Sequence, residues 1–321
     1  MPILNRLPVE ETRNGPSRIS GNDLRADAAW SEDVPPGVWE SSARDARTGF
    51  FQTCANPDCG SGWLHLWRSR SAPVFEGGWS CSAACTAARM ALAVRRELDG
   101  RGRAQQYHRH RIPLGLLMLE QGWITTSQLR GALEAQRESG AGRLGQWLIH
   151  GQGVAEDLMT RALGLQWSCP VLPMETHDAE ALTAIVPRLF VDSFGALPLR
   201  VAAGRLLYLG FEERLDPVLA LAIERMTGMR VESGLVRGSL FRAAHARMLG
   251  AVFPPAELIE ACSESASVRA LSKAIERTQP VWSRLVRVHD CLWLRMRVRS
   301  ESRLLTPGTG IKDLICSIRA Q

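Results

Sequence analysis

Four cysteines carry the clearest chemistry in this chain. Cys54-Ala-Asn-Pro-Asp-Cys59-Gly60 sets two thiols on a tight turn that Pro57 and Gly60 help to form, and Cys81 and Cys85 supply a second pair. The gap between Cys81 and Cys85 is one helical turn, so both sulfurs face one point if Cys81 opens a helix continuing through Ala87 to Leu98. A helix N-terminus also favours thiolate. In a reducing compartment such a set favours tetrahedral Zn2+ over two disulfides, and four thiolates leave no open position for water. The expected role of the metal is therefore structural: it holds together a segment too small for its own core. His65 lies between the pairs, but Cys54, Cys59, Cys81 and Cys85 already complete the shell. Cys169, Cys262, Cys291 and Cys316 are scattered in apolar stretches and read as small core residues.

Enzyme signatures are missing from the sequence. It contains no GxxxxGK[ST] loop, no GxSxG elbow and no HExxH pair, and Gly308-Thr309-Gly310-Ile311-Lys312 is too short in spacing to cradle phosphates. We expect a binding protein, not an enzyme.

The elements that must position these residues follow from composition and periodicity. With 321 residues, 45% hydrophobic and 22% charged, the chain has the make-up of a globular protein of two or three compact units. No apolar run approaches the ~20 residues of a spanning helix, and residues 1–21 show no secretory signal, which predicts a cytoplasmic location. A net charge of +6 permits an anionic partner without requiring one. Residues 1–50, rich in Pro, Ser, Gly, Asp and Arg, read as a disordered leader, and 51–98 as the four-cysteine segment with its helix. After a polar linker, residues 108–172 show four short helical bursts separated by glycine-containing turns. Residues 173–252 then read as a small α/β unit: strands at 197–201 and 206–211, a helix at 217–226, a strand at 229–236 and a helix at 239–249. In the remaining segment, 265–321, Leu294, Met296 and Val298 alternate with Arg295, Arg297 and Arg299, which predicts a strand with one buried and one cationic face. Ile311, Leu314, Ile315 and Ile318 predict a final amphipathic helix. The expected fold class is α+β.

The helical bursts are a duplication. At an offset of 30 residues, Leu114 pairs with Leu144, Gly115 with Gly145, Ala132 with Ala162, Leu133 with Leu163 and Gln136 with Gln166. Met118 with Leu148, Leu119 with Ile149, Ile124 with Val154 and Leu129 with Met159 keep their apolar character. Thr125-Thr126-Ser127-Gln128 matches a capping box and starts the second helix of the first copy.

This repeat resembles the MshEN-type motif, roughly RLGxxLxxxGxLxxxxLxxALxxQ in tandem, of the N-terminal domain of type II secretion and type IV pilus ATPases. The first copy runs from Pro113-Leu114-Gly115 through Gly122, Ile124, Leu129 and Ala132-Leu133 to Gln136. The second runs from Arg143-Leu144-Gly145 through Leu148, Val154, Met159 and Ala162-Leu163 to Gln166. Beyond it, Val186-Pro187, Leu197-Pro198-Leu199, the turn at Gly204, Leu215-Asp216-Pro217 and 227–231 resemble the family's following α/β part, so the likeness covers about residues 110–250. The four-cysteine segment is similar to treble-clef-like fingers with a CxxxxCG knuckle and a WxCSxxC helix start.

In that family the tandem motif can bind cyclic di-GMP, one motif to each half. The resemblance therefore implies a nucleotide site at Arg111, Leu114, Gly115, Gln136, Arg143, Leu144, Gly145 and Gln166. Arginine can fork to the O6/N7 edge of guanine, and a glycine at a helix start lets backbone amides approach phosphate. Two positions depart from the pattern. Pro113 stands where the first copy would carry its basic residue, leaving Arg111 two places away, and Gln152 stands where the second would carry glycine, flanked by Gly151 and Gly153. Trp123 and Trp147 fit helix packing better than base stacking. The ATPase domain of that family has no counterpart in this sequence. The same fold also suits an adaptor docking on secretion or pilus machinery. A nucleic-acid-binding zinc protein is the alternative, on the basic stretch Arg95, Arg96, Arg101, Arg103, His108, Arg109, His110 and Arg111. A third reading has the arginine strand and terminal helix forming a dimer or a docking face.

Overall fold

The computed structural model describes residues 53–60, 72–100, 111–174, 177–299 and 310–318. The expected leader at 1–50, His65, and Arg101, Arg103, His108, Arg109 and His110 lie outside the described residues. Within them the fold is α+β, as the sequence predicts.

The finger comprises a short hairpin, β1 (Val74–Phe75) and β2 (Gly78–Trp79), and a long helix, α1 (Ala83–Asp99). Ser82 caps α1 by accepting from the Cys85 amide. Four helices follow: α2 (Leu114–Glu120), α3 (Thr126–Ser139), α4 (Leu144–Gln152) and α5 (Glu156–Trp167). Their duplication holds in three dimensions. Met118 and Leu148, Ile124 and Val154, and Ala132 and Ala162 are buried pairwise in one core. Gly115 lies so close to Leu129 that a Cβ there would fall 2.6 Å from it, and Gly145 meets the equivalent Met159 at 3.1 Å. These glycines are small because two helices touch there. Thr125 and Gln128 form the predicted capping box. Where Gly122 takes a left-handed φ of 68° in the first copy, Gln152 stays helical in the second and Gly153 makes the turn one place later, with φ 66°.

The α/β unit contains α6 (Ala179–Leu182), α7 (Arg188–Phe194), β3 (Leu197–Ala202), β4 (Leu206–Phe211), α8 (Pro217–Thr227), β5 (Arg230–Leu235) and α9 (Gly238–Gly250). β3 pairs antiparallel with β4, and β4 pairs parallel with β5 through the α8 crossover. Asp216 starts α8 by accepting from the Val218 and Leu219 amides, with Pro217 in the first turn, where its missing N–H costs nothing.

The C-terminal region corrects two expectations. It consists of β6 (Ala256–Ala261), α10 (Glu264–Thr278), β7 (Trp282–Val288), β8 (Cys291–Arg297) and β9 (Ile311–Ile318), in the sheet order β6-β9-β8-β7. The predicted final helix is β9, an inner strand. Leu314 and Cys316 face one layer and Ile315 another, so apolar residues from two faces mimic helical spacing. Nor does β8 have a cationic face. Arg295 is buried, donating to both Asp313 oxygens at 2.8 Å and to the carbonyls of Ala184 and Ile185, while Trp293 Nε1 donates to Asp313 at 2.8 Å. A buried guanidinium survives only with this degree of pairing. Among the scattered cysteines, Cys316 is buried as expected but Cys262 is exposed.

The finger and the C-terminal sheet share one core. Phe75, Met90, Ala93 and Val94 pack with Leu271, Ile275, Leu285, Leu294 and Cys316. β1 lies along the edge of β7, with Val74 N donating to Pro280 O at 2.8 Å and Ser283 Oγ to Val74 O at 2.7 Å. The opposite sheet face, through Val286, Trp293 and Ile315, enters the core of the α/β unit.

Glu97 of α1 ties these layers together. Its carboxylate receives a fork from Arg225 of α8 at 2.6 and 2.9 Å, the Arg287 amide of β7 at 3.2 Å and Arg96 at 3.0 Å. Burial alone pushes its pKa up, but these donors outweigh it and hold the carboxyl below the usual range. A depressed carboxylate contributes stability above its unfolded value of 4.5, and that contribution is lost as pH falls through the lower folded value. Glu97→Gln is expected to lower stability by about 2 kcal/mol at pH 7. In urea titrations across pH, the gap to the parent should narrow below pH 4.5; a gap independent of pH would contradict the assignment.

Candidate functional site

The four cysteines converge. The Sγ atoms of Cys54, Cys59, Cys81 and Cys85 all lie within 4.8 Å of one another, with Cys59 to Cys81 at 3.5 Å and Cys81 to Cys85 at 3.6 Å. Bonds of ~2.3 Å to a central ion give sulfur separations of this order in a tetrahedron. The knuckle is held by Ala55 N to Trp79 O at 2.8 Å and Cys59 N to Asn56 O at 3.1 Å. Gly60 adopts no left-handed conformation and has open space around it, so the turn rests on Pro57 and these bonds. N–H groups aim at sulfur, among them Cys81 N at Cys54 and Asn56 Nδ2 at Cys85, both at 3.4 Å. Donors of this kind stabilise thiolate and orient it toward a metal. Burial, reinforced by the neighbouring thiols of Cys81 and Cys85, pushes the Cys54 thiol up to about 12, so four thiolates would need a cation among them to share this space. The cluster fits a metal and leaves no coordination position for a substrate.

The second site is a cleft of about 470 Å³ between the repeat and the α/β unit. One wall carries Leu114 from the first copy and Arg143, Gly145 and Gln166 from the second. The other carries Glu212, Glu213 and Arg214 from the loop after β4, with Gly238 and Arg242 from α9. Docking of α5 on α9 sets the distance between the walls. Glu156 accepts from Ser239 N at 2.8 Å and from Ser239 Oγ at 2.5 Å, and Asp157 pairs with Arg237 at 2.5 Å. The first-turn carboxylate of α5 thus satisfies the free amide end of α9, whose N-cap residue Arg237 offers no side-chain bond. Across the cleft Arg143 pairs with Glu213 and Arg242 reaches Glu156 at 3.5 Å, while Arg242 also pairs with Glu212 on its own wall. Trp167 lines the cleft, with the Arg111 guanidinium 3.1 Å and that of Arg214 5.6 Å from its ring centre.

The predicted nucleotide residues divide between these surroundings. Arg143, Gly145, Gln166 and Leu114 meet at the cleft. Gly115 is buried against Leu129, Leu144 packs on the repeat core, and Arg111 stacks on Trp167. Gln136 and Gln166 have a role the sequence does not suggest. Gln136 Nε2 donates to Gly142 O and Gln166 Nε2 to Ile112 O, both at 2.8 Å. Residues 142 and 112 are also 30 apart, so the end of each copy is latched to the start of the other. Trp123 and Trp147 pack on the repeat core, Trp147 also donating to Ala141 O at 3.2 Å. Sequence reasoning passes over Glu156, Trp167, Glu212, Glu213, Arg214 and Arg242; the charged run at 212–214 just ahead of the Asp216-Pro217 helix start is the one signal that was available.

Of the described members of the basic stretch, Arg95 pairs with Glu264, Arg96 with Glu76 and Glu97, and Arg111 stacks on Trp167.

No family model and no curated protein matches the sequence. Among solved structures, the chain is similar to a structure of MshE with cdg, at 25% identity over 43% of this chain and 99% of that one, with a TM-score of 0.34. It is also similar to the N-terminal domain of XpsE, at 19% identity over 42% of this chain and 92% of that one, with a TM-score of 0.30. Among the described residues, no helix is long and apolar enough to cross a membrane.

The latches make a specific demand. Gln136→Ala and Gln166→Ala should each destabilise the protein by about 0.5 kcal/mol, because each removes a solvent-exposed hydrogen bond whose carbonyl water can then take up. Urea unfolding would read this directly, and two unaffected variants would show that the latches do not hold the repeat closed.

Proposed function

We propose that this chain is a non-enzymatic, cytoplasmic receptor or adaptor. In this reading, cyclic di-GMP binds in the cleft beside the second copy of the repeat, the occupied module acts on secretion or pilus machinery, and the four thiolates hold a structural zinc ion. The observation that carries this reading is the meeting of Arg143, Gly145, Gln166 and Leu114 at one cleft of about 470 Å³, a volume in the usual range for small ligands. The Arg143 guanidinium can fork to the guanine O6/N7 edge once it leaves Glu213, with Trp167, already stacked by Arg111, lining the same cleft. Resemblance of the repeat to the MshEN-type motif supplies the identity of the ligand. The zinc reading rests on the donor set, since four thiolates with N–H donors to two of them suit a soft, four-coordinate ion.

Titrating cyclic di-GMP into the full chain by calorimetry should give saturable heat that Arg143→Ala abolishes. A folded protein giving no heat would turn the reading toward a scaffold that docks proteins. Elemental analysis should find zinc, and its removal by a strong chelator should lower the melting temperature of the C-terminal core as well as the finger, because α1 belongs to both. A melting curve unchanged by chelation would contradict a structural metal.

A further inference from the structure

The cleft contains its own anions. Three carboxylates, Glu156, Glu212 and Glu213, stand among the guanidiniums of Arg143, Arg214 and Arg242. Glu156 is committed elsewhere, holding the start of α9 through Ser239. Glu212 and Glu213 have no such second task. They lie in the short loop between β4 and α8 and occupy the arginines that a phosphate or a guanine edge would use. The far end of this loop is fixed: Asp216 caps α8 and its other oxygen meets His289 Nε2 at 2.6 Å, in the turn between β7 and β8.

We infer that Glu212 and Glu213 are an internal gate that competes with the anionic ligand for Arg143 and Arg242, so that ligand entry exchanges carboxylate for phosphate or guanine and releases the 212–215 loop from the repeat. This regulation rests on the cyclic di-GMP reading of the cleft. The exchange is energetically feasible because both pairs face solvent: the Arg143 and Glu213 side chains are 73% and 37% exposed, and those of Arg242 and Glu212 are 62% and 30% exposed. Pairs this open contribute little to stability and are broken readily. Their cost falls on the ligand, because a dianion must approach two carboxylates before it reaches the guanidiniums. Coupling follows from the same geometry. In the Arg143–Glu213 pair the repeat contributes the arginine and the α/β unit the glutamate, so a ligand that takes Arg143 loosens the hold of one on the other.

The test uses the full chain with cyclic di-GMP as probe. Glu212→Gln and Glu213→Gln keep side-chain size and hydrogen bonding but remove charge, and a melting curve checks that the double variant is folded. It should bind about tenfold more tightly than the parent, roughly threefold for each charge removed a few ångströms from a phosphate in solvent. Saturating ligand should also speed amide hydrogen exchange at 212–215 in the parent. Equal or weaker binding by the double variant, beside measurable binding by the parent, overturns the gate while leaving the ligand reading intact. Slower exchange at 212–215 also overturns it, since the loop would then be closing over the ligand. If neither protein binds, the cyclic di-GMP reading fails and the gate with it.

Discussion

The C-terminal sheet carries apolar side chains on both faces, and the arrangement of the molecule follows from the need to cover each. Leu285, Leu294 and Cys316 point one way and Val286, Trp293 and Ile315 the other. Water on either face would cost the burial of several large residues, at ~25 cal/mol for each Å² exposed. α1 and α10 supply one cover, and the α/β unit supplies the other. The buried ion pair at the second interface is Arg295–Asp313, whose five hydrogen bonds leave neither side chain short of a partner. The finger, whose sequence reads as an independent module, is thereby committed to a core built mostly by residues about 200 positions further on.

Seen this way, the four-cysteine cluster and the cleft lie at opposite ends of a mechanical chain. The cysteines stand at the start of α1, whose far end carries Glu97. Glu97 grips Arg225 at the end of α8, and the start of α8 is anchored by Asp216, which closes the loop carrying Glu212 and Glu213. Each link is a helix end or a charged hydrogen bond between rigid elements, so the glutamate loop sits on a framed base.

The repeat and the four-cysteine cluster were readable in the sequence because both are local. Identical residues at an offset of 30 announce four helices, and cysteine spacing defines where sulfurs can meet. β9 was misread for a reason in its packing: a strand covered on both faces shows no alternation, and Ile311, Leu314, Ile315 and Ile318 imitate a helix stripe. Arg295 was misread because alternation with arginine normally marks a solvent face, and its partner, Asp313, lies on a strand that looked helical. The acidic wall of the cleft left only the charged run at 212–214 as a sign in the sequence, with nothing to say what it faces. Glu213 faces Arg143 across the junction where Glu156 docks on Ser239, a contact spanning 83 residues.

The reciprocal latching of Gln136 and Gln166 gives the two copies the symmetry of a dimer within one chain. Each half presents a carbonyl that the other half's amide completes, and residues 140–143 merely join two partners that already match. A single unit would leave one amide and one carbonyl unanswered, and a second identical chain would answer both. The duplication is therefore a tethered homodimer, in which the short joining turn replaces concentration as the force that keeps the halves together.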